Sequence, residues 1–273
     1  MKKICIARDS GGIGDILMLT PGIGMLSSQG WEVSVAIDRH TTKGDTYYLL
    51  LKDNPHIQCI YDYRYVNKNG FDKFVDLSCV AYLYEQAGYS YTRCEIFARK
   101  MGVKLKSNKP KLFLTRSWKN TVPTIGLHFK SAEKRRSLPE ETSNKLIEYL
   151  LKNTNFNLLL LDNSKENRDS GRVKNCYNKD IESSIREFDK CIYFIGVDSG
   201  WLHIAGALGI RSLGIFGSTK PYMRIKDYNS SYIWAEIECR GCFYKQCEVD
   251  YACMKKITVE EILESLRNEN LLL

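Results

Sequence analysis

Residues 197–209 read VDSGWLHIAGALG, and four residues later 214–221 read GIFGSTKP. An apolar strand, Lys190 to Val197, runs into Asp198. Ser199 and Gly200 then open a helix that extends to Leu208. A second apolar strand, Ser212 to Phe216, ends in the turn Gly217-Ser218-Thr219-Lys220-Pro221. Strand, helix and strand in this order make a βαβ unit, whose strands run parallel. The first N–H groups of such a helix have no intrahelical partner and favour an anion such as a diphosphate. Asp198 is placed to accept sugar hydroxyls. His203, one helical turn further in, faces the same end, although a helical His is also an ordinary packing residue. Ser218 and Thr219 bring hydroxyls to the second strand end.

The same alternation extends to both sides. Upstream, Thr124 to Phe129 (TIGLHF) is a strand, followed by Lys130-Ser131-Ala132-Glu133-Lys134-Arg135-Arg136. Pro139-Glu140-Glu141 then opens a helix, with acids near the positive end of its dipole. The cations at 134–136 read either as a solvated loop or as an anion-binding strand end. Asn157 to Leu161 is a further strand. Ile257 to Asn268 is a terminal helix capped by Thr258.

In the first half, Lys2 to Arg8 is a strand and Gly11-Gly12-Ile13-Gly14-Asp15 a turn, with a helix from near Asp15 that Pro21 kinks. Trp31 to Ile37, Ile57 to Tyr61 and Phe74 to Leu77 are strands. Tyr89 to Met101 is a helix stopped by Gly102. Gly12 and Gly14 fail the dinucleotide fingerprint, because its third glycine would fall at Leu17. They still permit a tight turn and close approach of a ligand to the backbone. Asp15 is either an N-cap group or a functional carboxylate. Lys104 to Thr121, basic and polar around Pro110, reads as a linker. The expected organisation is an N-terminal Rossmann-like lobe over 1–115, a C-terminal one over 122–256, and a terminal helix over 257–273 that packs back on the first lobe. In open α/β sheets, ligands bind beyond the carboxyl ends of the strands.

Composition narrows the class. The 273 residues are 44% hydrophobic and 26% charged, which excludes a disordered chain, a collagen-like fibre and a small disulfide scaffold. Forty Lys and Arg against 32 Asp and Glu give a net charge of +8, which favours an anionic partner. Lys2 and Lys3 precede too short an apolar run for a signal peptide, and no run reaches membrane-spanning length, so a soluble, cytoplasmic protein is expected. Of ten cysteines, Cys5, Cys59, Cys79, Cys94, Cys176 and Cys191 are scattered through apolar segments and read as buried thiols. Cys239, Cys242, Cys247 and Cys253 lie within fifteen residues. Four thiolates so close can surround one structural Zn or Fe ion; disulfides and free thiols are the alternatives. Tyr61 to Lys68 mixes aromatics with cations. It reads as a surface for a sugar chain, a protein or single-stranded nucleic acid, or as an ordinary strand-end loop.

These blocks together resemble glycosyltransferase family 9, the ADP-heptose heptosyltransferases of lipopolysaccharide assembly. GGIGDILMLTP (Gly11 to Pro21) is similar to the family's opening turn, FDKFVDLS (Phe71 to Ser78) to its D-x-x-x-D-L strand, and VDSGWLHIAGALG with GIFGSTKP to its donor block. The resemblance implies a GT-B architecture, an α/β fold of two Rossmann-like lobes facing across a cleft. It implies inverting, metal-independent transfer of a heptose-like sugar from an ADP-sugar donor to an acceptor hydroxyl, by default on a lipopolysaccharide core-type saccharide. Asp15 then matches the general base, with Gly12 and Gly14 forming the acceptor-side turn. Ser131, Arg136, Asp198, Ser199, Gly200, His203, Ser218 and Thr219 match the donor site. Arg136 stands where the family usually has a Lys; it keeps the charge but changes the fork geometry. A late cysteine cluster, sometimes with metal, also occurs in the group. The chain is shorter than typical members, which points to trimmed acceptor loops. A saccharide acceptor that is lipid-linked, and with it a peripheral contact with the inner membrane surface, is the default. A protein or nucleic-acid acceptor, and a non-catalytic nucleotide-sugar binding subunit, are the alternatives. No basic helix or RNA-binding signature favours a nucleic-acid binder.

Overall fold

In the computed structural model, described residues are 1–114, 122–162, 171–176, 179–243 and 246–272. The linker expected over Lys104 to Thr121 therefore lies in part outside them. The chain divides into two compact units, Met1–Thr115 with Ile225–Tyr228, and Arg116–Arg224 with Asn229–Leu273.

The first unit runs β1 (Lys2–Arg8), α1 (Ile13–Leu17), α2 (Thr20–Ser28), β2 (Trp31–Ile37), α3 (Gly44–Leu51), β3 (Cys59–Asp62), β4 (Lys73–Asp76), α4 (Val80–Gln86) and α5 (Arg93–Met101). Its strands are parallel in the order β3-β2-β1-β4. The helix expected to kink at Pro21 is instead two helices. Pro21 sits in the first turn of α2, where its missing N–H has no carbonyl to serve. Thr92 and Glu95 form a capping box on α5, and Gly102 ends it at φ 85°, a conformation that favours glycine. Strand β3 is an edge, so Cys59 is exposed. Cys79, at φ 59° ahead of α4, is exposed as well. The expectation of six buried thiols holds for Cys5, Cys94, Cys176 and Cys191 only.

The second unit runs β5 (Thr124–His128), α6 (Glu140–Asn153), β6 (Asn157–Leu160), β7 (Val173–Asn175), α7 (Ile181–Phe188), β8 (Tyr193–Val197), α8 (Gly200–Leu208), β9 (Arg211–Phe216), α9 (Pro221–Arg224), β10 (Ser230–Trp234), α10 (Ala252–Lys255) and α11 (Val259–Asn268). Its described strands are all parallel, ordered β10-β9-β8-β5-β6-β7. Counted from β5, this is the doubly wound dinucleotide-fold order, and strand direction of growth reverses between β5 and β8. Both strands are buried at every residue, as parallel strands covered on both faces must be.

The terminal helix, expected to pack back on the first lobe, belongs to the second unit. Val259, Ile262, Leu263 and Leu266 form an apolar stripe buried with Leu146 and Leu150 of α6 in the second unit's core. Among the described residues no helix is long and apolar enough to cross a membrane.

Candidate functional site

Two strand-end constellations emerge, one in each unit. In the first, β1 ends at Arg8 and the chain turns through Gly11 at φ +139°. A Cβ there would lie 2.9 Å from the Arg8 guanidinium and 3.0 Å from Asp15 Oδ2, so a larger residue would crowd the charged pair. The Gly12 N–H donates to Asp15 Oδ2 (2.8 Å), which makes Asp15 a capping carboxylate for α1. Asp15 is also more than a cap. Arg93 Nη1 reaches its Oδ1 at 2.5 Å, and Arg8 Nη2 lies 3.6 Å from Oδ2. Arg93 in turn forks onto Glu85 at 2.8 and 3.1 Å. Arg8 donates to the Leu77 carbonyl (2.7 Å) and lies over the Phe97 ring. Tyr47 OH donates to the Gly11 carbonyl (2.7 Å). Burial, then the nearby Asp15 charge, raises its pKa and keeps it a donor. The alternating chain Arg8–Asp15–Arg93–Glu85 has nearly buried side chains throughout. Such charges persist in an interior only when each is paired and hydrogen-bonded.

The Tyr61 to Lys68 stretch follows β3. Its cations are engaged: Arg64 forks onto Asp38 at 3.0 and 3.2 Å, and Lys68 lies over Phe74. Tyr63 OH donates to Asp76 (2.7 Å), while Tyr61 and Tyr65 remain exposed.

In the second unit, the loop after β5 is fixed by Asp162. It accepts the N–H groups of Phe129 and Lys130, each at 3.0 Å, and pairs with His128 Nδ1 at 2.9 Å. Burial raises the Asp162 pKa, but His128 and the two N–H donors outweigh it, so the net shift is downward. The Ser131 N–H donates to Ser137 Oγ (3.0 Å), which sets the turn that presents Arg135 and Arg136.

Because β5 and β8 are neighbours, that turn meets the end of β8. Arg136 Nη1 donates to the Asp198 carbonyl (3.0 Å) and lies 3.5 Å from Asp198 Oδ2. Asp198 is 2% exposed. Thr219 Oγ1 donates to its Oδ2 (2.7 Å), His203 Nε2 lies 3.8 Å from Oδ1, and Arg224 Nε lies 3.9 Å from Oδ2. Burial would raise the Asp198 pKa; Arg224, Arg136, His203 and Thr219 reverse the sign and hold it below the usual carboxylate range. Ser199 caps α8 without a side-chain bond, and Gly200 is its first residue. The Ser199 and Ser218 hydroxyls and Arg136 Nε are buried and have no hydrogen-bond partner among the described residues. Buried orphans of this kind are rare and call for a ligand or water. A helix N-terminus, two such hydroxyls and a guanidinium on one strand-end platform suit a phosphate group.

Thus Arg136, Asp198, Ser199, His203 and Thr219 come together, with Gly200 and Ser218 adjacent. Ser131 sits at the base of the same turn as Arg136. Sequence reading missed Arg8, Glu85 and Arg93 around Asp15, and Arg224 beside Asp198. No local pattern marks them: Arg8–Asp15 and Glu85–Arg93 join different elements across a turn or loop, while Arg93–Asp15 and Arg224–Asp198 join residues far apart in sequence.

The four clustered cysteines do not form a ligand set. Among the described residues, no group of three or more His, Cys, Asp or Glu could hold a metal ion. Cys239 is exposed, Cys242 and Cys247 are half-buried and Cys253 is buried. The thiols nevertheless share a neighbourhood. Burial first, then the other cysteines of the cluster, raise the pKa of Cys242 and of Cys253.

Comparisons with known proteins bear on the fold and the family. Residues 165–252 match the family model of glycosyltransferase family 9 (heptosyltransferase). Over 104 residues the chain is 29% identical to lipooligosaccharide heptosyltransferase 2 of Campylobacter jejuni, a match covering 36% of this chain and 32% of that protein. The match thus spans about a third of the curated relative. Two crystal structures share the fold over 98% of this chain. One is the dodecameric iron-containing heptosyltransferase TibC of enterotoxigenic E. coli in complex with ADP-D-β-D-heptose (TM-score 0.77, 14% identity, 76% of that chain). The other is E. coli ADP-heptose lipopolysaccharide heptosyltransferase II (TM-score 0.70, 13% identity, 98% of that chain). The fold is accordingly the GT-B type expected from the sequence, and the chain is similar to glycosyltransferase family 9.

Proposed function

We propose that this chain is a family 9-type glycosyltransferase that moves a heptose-like sugar from an ADP-sugar to an acceptor hydroxyl. The observation that carries this reading is the Asp198 platform. Arg136, the start of α8 and the unpartnered Ser199 and Ser218 hydroxyls are suited to a sugar diphosphate, and the matched family segment contains most of it. In this reading Arg136 and the α8 N–H groups stabilise the diphosphate as it leaves, which is the main electrostatic demand of glycosyl transfer. Asp198, held ionised, accepts sugar hydroxyls and fixes the two arginines. Asp15 takes the proton of the acceptor hydroxyl as general base, and attack opposite the leaving group inverts the anomeric centre. Arg93 and Arg8 hold the Asp15 carboxylate in one orientation, and Glu85 anchors Arg93. The acceptor is by default a lipopolysaccharide-type core saccharide. The exposed Tyr61 and Tyr65 offer faces on which a sugar ring can stack.

The test separates the two sites. Asp15→Ala is expected to abolish transfer, measured as ADP release from ADP-heptose in the presence of acceptor, while ADP binding stays unchanged. Near-normal turnover would reject Asp15 as the base. Absence of ADP binding by the unmodified protein would reject the donor reading.

A structural Zn or Fe on Cys239, Cys242, Cys247 and Cys253 rests on donor chemistry and on the thiols' shared neighbourhood. The sulfurs would have to draw together to hold it. Metal analysis of freshly purified protein is expected to find about one ion per chain; fully folded, metal-free protein would reject it.

A further inference from the structure

The cysteine-bearing segment and the Asp198 platform are in direct contact, and the contact centres on Phe243. The Phe243 N–H donates to the Ser218 carbonyl (2.8 Å), and the Gly241 N–H to the Gly217 carbonyl (3.3 Å). Trp234 Nε1 donates to the same Gly217 oxygen (3.0 Å). Phe243 also meets two arginines. Arg135 donates to its carbonyl, and the Arg224 guanidinium lies over its ring, 5.4 Å from the centroid. Arg135 is next to Arg136, whose Nη1 bonds the Asp198 carbonyl. Arg224 approaches the Asp198 carboxylate from another element.

Phe243 holds φ 55°, a left-handed conformation that strains a bulky side chain. Such backbone persists where its surroundings over-determine it, and it gathers at functional sites. Here the surroundings are the contacts just named.

We propose that Phe243 is a positioning residue for the nucleotide-sugar. Its carbonyl anchors the Arg135–Arg136 turn, its N–H fixes the peptide that carries the Ser218 hydroxyl, and its ring holds Arg224 in place against Asp198. A free arginine side chain carries considerable rotamer entropy. Unless the guanidinium is already ordered, part of that is lost when the ligand binds. Phe243 removes this loss in advance.

This inference rests on the nucleotide-sugar reading of the platform. Phe243→Leu keeps apolar bulk and both backbone bonds but offers no aromatic face to Arg224. Phe243→Tyr restores that face. Calorimetric titration with ADP is expected to show binding about tenfold weaker in the Leu variant, which is about 1.4 kcal/mol, and within about twofold of the unmodified protein in the Tyr variant. Urea midpoints of all three are expected to coincide, so the change reads binding rather than folding. If the unmodified protein binds ADP and the Leu variant binds it equally well, the positioning role falls and the donor reading stands. If the unmodified protein binds no ADP, both fall. Equal weakening in the Leu and Tyr variants would overturn the role assigned to the ring.

Discussion

Asp198 is the residue on which the second site converges. Its carboxyl is buried and yet held below the usual carboxylate range by Arg224, Arg136, His203 and Thr219. That has a thermodynamic consequence. The unfolded chain, with a carboxyl pKa of about 3.9, takes up a proton before the native protein does as pH falls. The stabilisation is therefore complete above the unfolded value and lost as pH falls through the native one. Asp198→Asn is expected to lower stability by an amount that is constant above about pH 5 and shrinks below about pH 4. Urea unfolding from pH 3 to 7 measures it, and a gap independent of pH would refute the charge assignment. At this scale Asp198 and Asp15 are legible in the sequence, because each follows an apolar strand and begins a helix. Of their partners, Arg136, His203 and Thr219 are named from the sequence, whereas Arg8, Arg93 and Arg224 are not, and no pairing is legible. Arg93 lies 78 residues from Asp15, and Arg136 lies 62 residues from Asp198. A guanidinium that will be buried looks in sequence like any surface cation.

At the scale of elements, local chemistry predicts well wherever a terminus or a glycine decides the outcome. Helix α8 spans Gly200–Leu208 as read from Ser199, Gly200 and Gly209, and α11 is capped by Thr258 as expected. Elements without such punctuation were invisible. Strands β7 and β10 carry mixed polar residues and α3 has no side-chain cap; α7 goes unread although Asp180 caps it. Gly217 shows how closely elements pack beneath the platform. A Cβ on it would lie 2.5 Å from Met254 Sδ and 2.8 Å from Cys253 Sγ, both on α10. Gly217→Ala must displace α10 or the platform turn, and overpacking of this kind costs about 1–3 kcal/mol. The urea midpoint is expected to fall accordingly; an unchanged midpoint would mean that Met254 and Cys253 yield freely.

For the whole molecule, two α/β halves, each with a Gly-bearing turn at the end of an apolar strand, can be read from the residues alone. Which turns carry the acidic and basic residues is legible there too. These are short-range facts, set by apolar runs, capping residues and glycine freedom within a few positions. Only the tertiary structure decided which strands are neighbours. Parallel strands pair through long crossovers, so adjacency of β5 with β8, or of β1 with β4, leaves no local mark. That adjacency brings Arg136 to Asp198. Packing of α5 on the first unit brings Arg93 to Asp15. The tertiary structure also returned Ile225–Tyr228 to the first unit, where Asp227 accepts from Asn108 at 2.8 and 3.0 Å and Lys226 pairs with Glu95 at 2.7 Å. It assigned α11 to the second unit's core and set Phe243 against the Asp198 platform. Burial and pairing depend on residues distant along the chain, and the energy of a buried charge is fixed by its neighbours in space.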